Sequence, residues 1–184
     1  NNAYGNNIYN LPAADYKVTY KSVCTGRERG VYSFCMCPGG YVVNASSEKN
    51  MLAVNGMSYS GRDSSNANSA MIVTVTPEDY GYGTLDGVKF QRKLETAAYI
   101  AGEGKIPVQL LGDFKENTAS TSLGAVSPCI KGEYKLTNVR SILPDYIAEA
   151  ISEGVTGCDR YIKGFDMDEA LFAGVESRTS SPVR

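Results

Sequence analysis

The chain has 184 residues, 42% hydrophobic content and a formal net charge of −2, which suits one domain, or one with a small helical lobe, around a buried core. That charge offers no basic footprint for nucleic acid or an anionic membrane surface, and no apolar run approaches the roughly 20 residues of a membrane span. Asn1 to Asn10 lacks the basic and apolar regions of a secretory signal, so the chain reads as soluble and cytoplasmic.

Residues 16–76 read as mainly β. Tyr16 to Tyr20 alternates, Val31 to Cys37 is aromatic and extended, and Tyr41 to Val43 and Met51 to Val54 are short apolar runs between polar turns. Ala70 to Thr76 is a β-branched run that stops at Pro77. Short strands with turn signals between them predict an antiparallel, barrel-like sheet. Beyond Leu85 the period changes. Phe90, Leu94, Ala97, Ala98 and Ala101 recur at helical spacing, predicting a helix from Val88 to Ala101 capped by Gly102.

Residues 113–137 are rich in Ser, Thr, Gly and Asn and read as a mobile loop. Asn138 is a candidate helix cap, and Pro144 opens a helix over Asp145 to Glu153, with Ile147, Ala150 and Ile151 on one face. Residues 166–184 read as a returning strand, with Ala170 to Val175 buried, followed by the polar string Glu176 to Arg184, whose abrupt end suggests a domain cut from a longer chain. The expected fold class is α+β: an antiparallel β-barrel-like sheet with a small helical and loop lobe over 85–165.

Two segments carry unusual chemistry. Tyr32 to Cys37 runs directly into Pro38-Gly39-Gly40. An extended strand would point Cys35 and Cys37 the same way; Pro38 then removes a donor, and the glycines allow close backbone approach. By themselves the two thiols read as small apolar residues on an inner face, the usual place of free cysteine. The second segment runs from Asn55 to Asp63 and on through Asn66 to Ser69, with Ser58, Arg62 and Asn68 among its hydrogen-bonding groups. It can bind an anion through Arg62, or satisfy its own backbone as a long β connection.

Some chemistries are excluded. The chain has no histidine, so Ser-His and Cys-His nucleophiles and His-ligated metals cannot be built. Five cysteines without framework spacing argue against a disulfide scaffold, and no metal site is expected. There is no Gly-x-Gly-x-x-Gly after a strand and no phosphate loop; Gly102-Glu103-Gly104-Lys105 reads as a helix end and turn.

Leu11 to Tyr16, the Tyr32–Gly40 block, Asn55 to Ser58 with Arg62-Asp63, Asn66 to Ser69 and Glu176 to Arg184 occur here in that order. In these strings the chain resembles the middle region of a family of bacterial FAD-dependent dehydrogenases, distantly similar to two-domain flavoproteins that include aminoacetone oxidase. The resemblance implies an inserted domain, residues 1–184, that caps the flavin and substrate of a parent oxidoreductase. The family's glycine-rich FAD fingerprint upstream and its second glycine-rich segment downstream do not occur here, so FAD is expected in the parent and not in this chain alone. The implied partners are the FAD-binding domain of the same parent chain and a small-molecule substrate. Cys35 and Cys37 become candidates for a redox role, and Pro38, Gly39, Gly40, Asn55, Ser58, Arg62, Asn68, Arg178, Thr179 and Ser180 candidates to face the cofactor. Arg62 and Arg178 are the expected anchors for an anion, with Asp63 and Glu176 as their structural alternatives. A reading without redox chemistry stays open, in which the 55–69 segment holds a small anion or a protein partner.

Overall fold

A computed structural model describes residues 17–24 and 26–178; Tyr16, Thr179, Ser180 and the rest of the polar tail lie outside them. The fold is α+β, as expected, but the strands form three separate three-stranded sheets rather than one barrel. In the first, β1 (Thr19–Ser22) and β5 (Asn68–Val73) flank β2 (Arg29–Cys37), all antiparallel. In the second, β3 (Gly40–Asn44) pairs antiparallel with β4 (Val54–Ser58) and parallel with β7 (Ile130–Lys131). In the third, β6 (Ile106–Leu110) lies between β8 (Tyr134–Leu136), parallel, and β9 (Leu171–Ala173), antiparallel.

Closure fails for a local reason. Among the described residues β5 pairs only with β2, while Val54 at the start of β4 donates its N–H to Val175 of the C-terminal segment at 2.9 Å. The edge of the first sheet is therefore left facing the third across a gap. Strand β6 was not anticipated, because Ile106-Pro107-Val108 directly follows a helix and carries a proline. It is nonetheless the central strand of its sheet, with Ile106 and Val108 almost fully buried. The segment read as a mobile loop contributes β7, β8 and the second half of the short helix α3 (Leu111–Lys115).

The helices follow their apolar spacing. Helix α1 (Pro77–Tyr80) is one turn, started by Pro77 and a reciprocal box between Thr76 and Asp79; Asp79 also receives both arms of the buried Arg29, at 2.9 and 2.5 Å. Helix α2 (Asp86–Gly102) runs one residue beyond the expected end, and Glu103, not Gly102, takes the left-handed cap position at φ 52°. Its stripe of Leu94, Ala97, Ala98 and Ala101 packs on Ile106, Val108, Leu52 and Val139. Helix α4 (Asp145–Cys158) meets Leu111 and Phe114 through Ile147, Ile151 and Val155. It also carries Gly154 and Gly157 against β1 and β2, where a Cβ would run into Val31 and into the Tyr20 ring. That contact is fastened by Glu153, which accepts from the Tyr20 hydroxyl at 2.9 Å and from Ser22 at 2.6 Å.

Candidate functional site

The alternation expected for Cys35 and Cys37 breaks at a bulge. Phe34 pairs with Ala70 and Cys37 with Asn68, so β2 has one residue more than β5 over this stretch. Cys35 absorbs it at φ 49° and is exposed. Cys37 is half-buried, its thiol donating to the Cys35 carbonyl at 3.3 Å. Burial, with the Glu176 carboxylate adding to it, pushes the Cys35 thiol above its ordinary pKa. All five thiols are free.

The turn after the bulge packs against the 55–69 segment. Gly39 sits at φ 57°, and a Cβ there would strike the carbonyl of Arg62. Gly40 donates its N–H to the Asn66 carbonyl at 2.8 Å, Ser58 donates to the Pro38 carbonyl at 3.1 Å, and Ser64 donates to the Gly40 carbonyl at 3.0 Å. The side-chain amide of Asn68 lies between Gly40 and Gly56, where a Cβ on either would overlap it. Its Nδ2 is buried with no partner among the described residues. Pro38, Gly39, Gly40, Ser58, Asn68 and the Arg62 backbone thus come together. The close approach that the two glycines of the turn permit is to the protein's own chain. Asn55, Gly56 and Ser58, expected in a loop, stand on β4.

Gly40 and Asn68 of this cluster, with Asn55 and Gly56 of β4, line a cleft of about 1010 Å³ bounded by β5, α2, α4 and the segment after β9. Every residue from Ser65 to Val75 lines it. Successive residues of a strand point to opposite faces, so a lining without gaps means the cleft runs along the open edge of β5 as well as one face. Its walls are mostly apolar, with Met36, Met71, Phe90, Leu94 and Phe172 among them, and neither Cys35 nor Cys37 takes part. Cys129 does; a hydrogen bond with Ser65, with help from the Asn66 N–H and the Ser64 hydroxyl, holds its thiol below the ordinary value. Glu176 is the one charged side chain in the lining among the described residues, and burial pushes its pKa up.

Arg178 is engaged elsewhere. Its guanidinium grips Glu95 of α2 through Nε at 2.9 Å and a terminal nitrogen at 2.7 Å. Ser177 donates to the same carboxylate at 2.6 Å and Gln91 at 3.0 Å. Glu95 is fully buried, and the Arg178 fork holds its pKa down to about 2 despite that burial. The structural partner of Arg178 is therefore Glu95 and not Glu176. Arg62 is exposed, at φ 49°; Thr179 and Ser180 lie outside the described residues. Sequence reasoning passed over Glu95 and Cys129, and took Glu176 only as a partner for Arg178. Glu176 had one signal: it is the first charge after the apolar run that ends at Val175.

A family model described as "FAD-dependent protein, C-terminal domain-like" matches residues 1–179. The chain belongs to this family. A protein of Clostridium beijerinckii, described as "Uncharacterized protein", is 51% identical over 189 residues, an alignment that takes in 100% of this chain and 35% of the relative. This FAD-dependent-protein domain thus spans about a third of the relative it matches. No helix among the described residues is long and apolar enough to cross a membrane.

Proposed function

We propose that this domain is the substrate or cap domain of an FAD-dependent oxidoreductase, closing over the flavin of its parent chain and inactive alone. The observation that carries the reading is the cleft: about 1010 Å³, apolar, and open along the edge of β5, in a chain of an FAD-dependent family. Pockets for cofactors and small substrates are concave and largely apolar, with a few placed polar groups.

The two halves of FAD make different demands on such a site. The pyrophosphate needs cations, or the backbone N–H groups of a glycine turn at a helix N-terminus. No Lys or Arg lines the cleft among the described residues, and Arg178 is committed to Glu95. The isoalloxazine ring packs on apolar surface, which the walls of this cleft offer. The phosphates are therefore assigned to the rest of the parent, and the ring and substrate to this cleft. Bound flavin supplies the electron transfer. The residues here exclude water and orient what lies beside the ring, with Asn55 and Asn68 as the polar groups at the rim. The competing small-anion site draws less support, since Ser58, Ser64 and Asn66 spend their donors on Pro38, Gly40 and Ser127 carbonyls.

The test compares two lengths of chain. The longer parent, reconstituted with FAD, is expected to keep its yellow colour through gel filtration. The 184-residue chain is expected to leave FAD fluorescence without a saturable change. Saturable binding by the short chain in the low micromolar range, or a colourless parent, would overturn the assignment.

A further inference from the structure

We propose that the cleft takes a ligand with an apolar body and one protonated amine, held by the carboxylate of Glu176. This deepens the reading of the cleft as the substrate surface and rests on it. Glu176 is the one charged side chain in the lining among the described residues, and within them it has neither an ion pair nor a hydrogen-bond partner for its carboxylate.

The backbone that carries this carboxylate is also held in place. On one side, the Val175 carbonyl accepts the Val54 N–H at 2.9 Å. On the other, Ser177 and Arg178 are clamped to the buried Glu95. The backbone at Glu176 is thereby held between two anchored neighbours, and its side chain is half-buried.

A carboxylate among apolar walls without a counter-charge is costly to hold ionised. A ligand ammonium compensates it, a neutral ligand leaves it unpaired, and an anion is repelled. The cleft therefore selects by charge as well as by shape. Attraction between opposite charges in such surroundings is several times stronger than in water, so the selection is expected to be large.

The experiment uses three probes of one shape on the 184-residue chain by calorimetry: 1-naphthylmethylamine, the neutral 1-naphthylmethanol and the anionic 1-naphthoate. The amine is expected to bind at least about tenfold tighter than the alcohol, with the naphthoate weakest. In Glu176→Gln the amine should fall to the level of the alcohol, whose own affinity stays unchanged. Glu169→Gln, in the loop before β9, should keep the preference. Equal affinity for amine and alcohol, no binding of the amine, or a preference that survives Glu176→Gln would overturn the proposal. The three-probe comparison on the unsubstituted chain decides the matter if Glu176→Gln does not fold. These readings need no flavin: amine preference with a colourless parent sinks only the flavin assignment, and a yellow parent whose cleft ignores probe charge sinks only this one.

Discussion

Arg178→Ala is expected to lower stability by about 2–3 kcal/mol, less than for stranding one member of a fully buried ion pair, because Arg178 is itself partly exposed. The partner decides the size. Glu95 is fully buried on α2, and Ser177 and Gln91 can only partly replace a bidentate guanidinium. The double substitution Glu95→Leu with Arg178→Leu is expected to recover most of the loss, because the pair costs desolvation that apolar residues avoid. The pH dependence has a definite sign. Glu95 sits at about 2 when folded, against 4.5 ordinarily, so its contribution is complete above the unfolded value and is lost as pH falls from about 4.5 towards 2. Arg178→Ala should flatten this part of the acid limb, leaving the share due to Asp79 and Glu153, which are likewise held to about 2. Urea unfolding followed across the acid range checks both statements. A loss below about 1 kcal/mol at neutral pH would mean the pair behaves as a surface contact.

Gly39→Ala is expected to cost about 2–4 kcal/mol and to loosen the rim of the cleft. Two effects add. The left-handed conformation at φ 57° penalises any Cβ, and the new methyl would occupy the space of the Arg62 carbonyl, a backbone atom that cannot rotate away. Gly56→Ala is expected to cost less, since its Cβ meets the side chain of Asn68, which can turn. Chemical unfolding ranks the two variants. An equal, small loss for both would show that the turn shifts freely against the Arg62–Asp63 backbone.

The sequence was most legible where apolar spacing and local turn chemistry act alone. Helix α2 and strands β2, β3 and β5 lie where periodicity places them, to within a few residues, and helix α4 starts at the expected Asp145 but runs past Glu153 to Cys158. Contacts distant in sequence were not legible. β6 is central only because β8 and β9 arrive on either side of it, and β7 exists only through its pairing with β3. The bulge at Cys35 depends on the register with β5, which strand alternation within β2 cannot reveal. The Pro38–Gly40 turn and the 55–69 segment were picked out as dense in hydrogen-bonding groups, and they do meet. The pairing of Arg178 with a glutamate 83 residues away, in place of its neighbour Glu176, had no local signal. The same misassignment hid Glu176 as the lone charge of the cleft.

The central claim is that the cleft along β5 faces the flavin. Amide hydrogen exchange in the longer parent chain, with and without FAD, tests it most directly, because exchange reports the opening of each backbone segment separately. FAD is expected to slow exchange in β5, Asn68–Val73, and at Asn55 and Gly56 of β4, while β1, none of whose residues lines the cleft, stays unchanged. Flavin-dependent protection confined to other parts of the parent, with β5 exchanging at the same rate in both states, would contradict it.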